Sequence, residues 1–133
     1  MRPLGIPATE DQLLQTAVAK ILEAIDEPIF RAGSFGSRPN RGALEAIKEV
    51  SLKLQFGGFN YMVEADIRGF FDAIDPRLLM EMLKKKIDDK PFLGLIKKWL
   101  KAGVLEEGQV IDPVTGTPQG GTVSPILANI YLH

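Results

Sequence analysis

Apolar residues recur at helical spacing through residues 9–27, where Leu13, Leu14, Ala17, Val18, Ile21, Leu22 and Ile25 share one face. Thr9 is placed to cap this helix and Pro28 to stop it. The pattern then breaks. Residues 28–41 hold Pro28, Gly33, Gly36 and Pro39 and read as a loop that also carries Arg31, Arg38 and Arg41. Helical spacing returns over 41–55 through Leu44, Ile47, Val50 and Leu54, and Gly57-Gly58 ends it. Residues 59–66, with the apolar run Tyr61-Met62-Val63, are predicted to form a strand that stops at Asp66. Asp75-Pro76 gives an N-cap with proline at the first helical position, and Leu78, Leu79, Met82, Leu83 and Ile87 follow. A further helix is predicted over 91–102 through Phe92, Leu95, Ile96 and Trp99. A short hairpin is predicted over 103–112, and a last helix opens at Ser124-Pro125. The expected class is α+β, mostly helical with a small antiparallel sheet.

Composition narrows the chemistry more than the fold. A chain of 133 residues is expected to be one domain with its own core. It has no cysteine, and His133 is its single histidine, so thiolate and His-based metal sites are disfavoured. Any metal would be held by oxygen, which favours Mg2+ or Mn2+. No apolar run approaches the roughly 20 residues of a membrane span, so no membrane partner is expected. Met1-Arg2-Pro3-Leu4-Gly5 has no apolar core of a signal peptide, and a cytoplasmic location is expected. Net charge is −1, yet residues 84–101 carry seven lysines against two aspartates. That stretch is either a solvated helix face or a phosphate-facing surface with a strong salt dependence.

Two segments carry candidate chemistry. Asp66 ends an apolar run and is followed by the paired aromatics Phe70 and Phe71. A carboxylate on a rigid element can face a cleft and bind a divalent ion, although taken alone Asp66 reads better as a strand-end turn former. Two-metal nucleotidyl transfer needs more carboxylates than this one. Asp72 and Asp75 fit capping better than metal binding. Residues 116–125, Gly-Thr-Pro-Gln-Gly-Gly-Thr-Val-Ser-Pro, form a glycine turn feeding a helix. Free amides at such a start favour polar or anionic ligands, and the Gln119 amide suits a nucleotide.

Asp66 to Ile74, Thr117 to Leu132, the opening Arg2-Pro3-Leu4-Gly5-Ile6-Pro7 and the loop Ser34-Phe35-Gly36-Ser37-Arg38-Pro39 together resemble a bacterial group II intron reverse transcriptase. The resemblance spans nearly the whole chain, with its blocks in the family's order. It implies a fingers-like helical region over 1–58, with the arginine-rich loop, and a partial palm over 59–133. It implies an RNA-directed DNA polymerase that adds dNTPs to a primer on an RNA template by two-metal catalysis. On that reading Asp66 is the first metal aspartate, and Ile67 offers its carbonyl to the second site. Phe71 gates the sugar, while Arg2, Gln119 and Gly120 meet the incoming nucleotide. Arg31, Arg38 and Arg41 would face nucleic acid, and intron RNA would be a further partner.

The sequence departs from the family in places. The Tyr-Ala-Asp-Asp hairpin that supplies the other catalytic acids is expected beyond His133, so this chain alone is expected to be inactive. Ser37 stands where an aromatic is common, and Asn40 where glycine is common. The alternative is a non-catalytic RNA- or protein-binding remnant of a reverse transcriptase. A palm strand at 59–66 without its neighbours would expose a sheet edge, through which self-association is expected.

Overall fold

In the computed structural model, residues 8–101, 104–106, 109–111 and 121–133 are described. Among these described residues six α-helices run in the order α1 (Thr9–Asp26), α2 (Ala43–Phe56), α3 (Phe70–Ala73), α4 (Pro76–Lys84), α5 (Lys90–Lys101) and α6 (Ser124–Leu132). One 3-10 turn, Glu27–Ile29, continues α1 and takes up Pro28 near its start. Ala8, not Thr9, is the N-cap of α1, and the Gln12 amide donates to the Ala8 carbonyl.

Helix α4 begins as the sequence predicts. The Asp75 side chain accepts a hydrogen bond of 2.7 Å from the Arg77 amide, and Pro76 sits in the first turn. That backbone bond holds the Asp75 carboxyl below the usual carboxylate range. Capping of this kind is decided within a few residues, so it needs no help from the rest of the fold.

The core is helical. α4 packs on α5 and on α6, and α1 packs on α6. Leu22, Ile74, Leu79, Leu83, Ile96 and Leu127 are its most enclosed apolar residues. Each such side chain contributes about 1.5–3 kcal/mol by leaving water. The face that α1 buries is rotated from the predicted one: Gln15, Val18, Ala19, Leu22 and Asp26 point inward. Leu13, Leu14, Ile21 and Ile25 remain exposed. Gln15 lies against Gly121 and Asp26 is ion-paired with Lys86, while Gln15 Oε1 and Asp26 Oδ2 have no hydrogen-bond partner among the described residues.

The α+β expectation is corrected. Among the described residues the strands are β1 (Val104–Glu106) and β2 (Gln109–Ile111), a short antiparallel ladder pairing Val104 with Ile111. Residues 59–66 form no strand. Tyr61 and Val63 are 90% and 91% exposed. A strand is stabilised by cross-strand pairs, and this segment has no partner among the described residues. Among the described residues no palm sheet forms, and the sheet edge expected at 59–66 is not there. α6 is also better packed than its position suggested, with Ile126, Leu127 and Ile130 buried and Tyr131 partly so.

Candidate functional site

Three of the sequence blocks that carry candidate chemistry meet at α6. The first is the arginine loop. Asn129 on α6 donates through Nδ2 to the Gly36 carbonyl at 2.9 Å, which pins the loop from the side. Inside the loop Arg38 is 8% exposed. Its guanidinium grips Glu27 twice, with Nη2 to Oε1 at 2.7 Å and Nε to Oε2 at 3.0 Å. Its Nη1 donates to the Arg31 and Ser34 carbonyls, each at 2.8 Å. The Phe30 ring lies under the same group, 5.3 Å from its centroid. Arg38 uses the planar fork of donors that suits a carboxylate, but its carboxylate is internal. The Arg38 hydrogen bonds hold the Glu27 carboxyl below its usual range.

Arg41 is similarly engaged. It donates to the Ala32 carbonyl and stacks over Phe35 at 5.5 Å. Arg31 is the exposed member of the three. Ser37 and Asn40 have φ of 52° and 56°, in the left-handed region. That conformation favours glycine and tolerates asparagine, so Asn40 fits the backbone it adopts.

The second block surrounds Asp66. Asp66 and Ile67 are both exposed, on backbone that is neither helix nor strand. Gly69, at φ 62°, turns the chain into α3. Phe70 and Phe71 stack edge to face at 5.7 Å, and Phe70 leans on Tyr131 of α6 at 6.4 Å. The Tyr131 hydroxyl accepts a long hydrogen bond of 3.4 Å from the Asp75 amide. Phe71 is half-buried against the edge of the core, and so is Phe70. The side chain of Asp72 lies outside the described set.

The third block is the glycine turn. Arg2, Gln119 and Gly120 lie outside the described residues. Gly121 is buried, and a Cβ there would sit 2.9 Å from Gln15 Oε1 and 3.1 Å from Ser124 Oγ. Glycine lets α1 approach the start of α6 here without moving the Gln15 amide. Gln15 was not singled out from the sequence. Its one signal is a polar residue facing inward on an otherwise apolar helix side. Asp26 was missed for the same reason: it is buried in the core and ion-paired with Lys86, 60 residues away in sequence.

The donor set fits a hard cation only in part. The Asp66 carboxylate and the Ile67 carbonyl are exposed oxygen donors of the kind Mg2+ and Mn2+ prefer. No group of three or more acids or histidines gathers among the described residues. Asp66 and Ile67 would therefore make up part of a site. No helix among the described residues is long and apolar enough to cross a membrane.

Comparison with known proteins places this geometry in context. Residues 1–133 match the family model described as reverse transcriptase (RNA-dependent DNA polymerase). Over all 133 residues the chain is 51% identical to the group II intron-encoded protein LtrA of Lactococcus lactis subsp. cremoris, covering 22% of that protein. It is 45% identical over 132 residues to a 91 kDa protein in the cob intron of Schizosaccharomyces pombe, covering 16% of it. It is 30% identical over 95 residues to nuclear intron maturase 1 of Arabidopsis thaliana, covering 13% of that protein. The chain thus spans about a fifth or less of the length of these relatives.

Proposed function

The chain belongs to the reverse transcriptase family, and we propose that it supplies the fingers and the first part of the palm of a group II intron-type RNA-directed DNA polymerase. The observation that carries this reading is the convergence on α6. Asn129 fixes the arginine loop, Tyr131 fixes the segment that follows Asp66, and Gly121 joins the glycine turn to α1. Residues far apart in sequence are held near one helix, as a site assembled from several motifs requires.

In this reading Asp66 and the Ile67 carbonyl contribute oxygen ligands to a magnesium or manganese site. Bound there, a divalent ion supplies charge neutralisation at the phosphates and activation of the primer hydroxyl. Phe71, braced by Phe70, forms a wall that excludes a ribose 2′ hydroxyl by steric contact. Arg2, Gln119 and Gly120 meet the nucleotide. Arg31 is the loop arginine free to meet an RNA phosphate, while Arg38 and Arg41 act by holding the loop's shape. The partners are an RNA template, a DNA primer and dNTPs, with intron RNA as a further ligand.

A chimera tests the proposal. These 133 residues replace the matching segment of the Lactococcus lactis protein, and primer extension on an RNA template is measured with Mg2+. Extension is expected, and Asp66→Ala should abolish it, while the 133-residue chain alone should show none. Extension that survives Asp66→Ala would remove Asp66 from the chemistry.

A further inference from the structure

A groove of about 500 Å3 runs between α4 and α5, on residues that none of the site contacts above uses. Arg77, Lys84, Lys90, Lys97 and Lys101 line it, against one acid, Glu81. The four lysines are exposed and pair with no acid among the described residues. Its floor is apolar, made by Met80, Leu93 and Leu100 at the edge of the core. Lysine stems add apolar wall below their charged ends.

Gly94 opens the middle of this groove. It sits inside α5, where glycine weakens a helix, and a Cβ added there would meet nothing within 4 Å. Packing within the chain does not demand the missing side chain. What its absence does is leave a notch between the two helices.

We propose that this groove docks an acidic amphipathic helix of a protein partner. The apolar floor and the Gly94 notch take the partner's apolar stripe, and the cationic rim pairs with acidic residues flanking it. Nucleic acid fits the same surface less well. A phosphate strand would use the rim alone, since no aromatic among the described residues lines the groove for a base to stack on. Glu81 would repel such a strand, whereas a helical partner can meet it with one basic residue. The inference does not depend on the polymerase reading.

Fluorescence anisotropy with the purified chain tests it, using three labelled probes. One is an 18-residue peptide with leucines on one helical face and glutamates elsewhere. The second has the same composition with the leucines scattered, and the third is an 18-nucleotide single-stranded RNA. The amphipathic peptide should bind at least ten-fold more tightly than either of the others. Gly94→Trp, which fills the notch, should weaken it at least ten-fold with the circular dichroism spectrum unchanged. Lys97→Glu changes an exposed side chain with no partner to lose, and should weaken binding by a similar factor. The proposal is overturned if the two peptides bind alike, if the RNA binds more tightly, or if Lys97→Glu leaves peptide affinity unchanged.

Discussion

The helices that bury their apolar faces and the segment that leaves its own in water differ sharply, although both are rich in large hydrophobic residues. In α1, α4, α5 and α6 the apolar positions close on one another around Leu22, Leu79, Leu83, Ile96 and Leu127. From α2 to Ile67 nothing is buried. Leu44, Ile47, Phe56, Tyr61 and Val63 are all exposed, and α2 has no buried residue along its length. The segment with the metal-site candidate is therefore the one held least by the chain's own packing. Stability and candidate chemistry are separated here, and the helical scaffold holds only the segment after Asp66, through Phe70 and Phe71. Elements of low local stability are where function is commonly placed.

Core truncation gives the largest way to break this contrast. Leu22→Ala should cost about 2–5 kcal/mol, because a cavity opens in packed surroundings. Ile47→Ala, the same kind of truncation on exposed α2, should stay within about 0.5 kcal/mol. Urea denaturation followed by circular dichroism compares the two. Similar losses would mean that α2 is packed in solution and that the contrast is false.

The junction between α1 and α6 gives a smaller effect. Gly121→Ala places a methyl against Gln15 Oε1 and should cost about 1 kcal/mol, at the low end for overpacking because the Gln15 amide can swing aside. In the Gln15→Ala background the added methyl should be tolerated. A double-mutant cycle that shows no coupling would separate the glycine turn from α1.

The smallest effect concerns the arginine loop and acid. Arg38 depresses the Glu27 pKa, so the pair contributes stability above the ordinary carboxylate range and loses it as pH falls through the lowered folded value. Glu27→Gln should remove that acid sensitivity from the loop. Arg38 Nε proton signals followed by NMR from pH 6 downward would register it. A titration identical in the wild type and the variant would place the loop's support elsewhere.

The sequence was legible where structure is decided locally. Asp75-Pro76 announced the start of α4 because the cap closes within two residues. The Asp66, glycine-turn and arginine-loop motifs pointed to the reverse transcriptase family, and the match over residues 1–133 shows that membership. Long-range pairing was not legible. Arg38 looked outward-facing until Glu27, 11 residues earlier, closed on it. Asp26 needed Lys86, and Gln15 needed Gly121, before either could be placed in the core. The expected strand at 59–66 failed for a related reason. An apolar run such as Tyr61-Met62-Val63 describes what a strand could bury, but a strand exists only when another pairs with it.

Native-state hydrogen exchange on the 133-residue chain tests the central contrast most directly. Amides in α1, α5 and α6 around Leu22, Ile96 and Leu127 should exchange only through global unfolding, while those of residues 59–66 should exchange close to the rate of an open chain. Protection of residues 59–66 equal to that of the helical core would contradict the account.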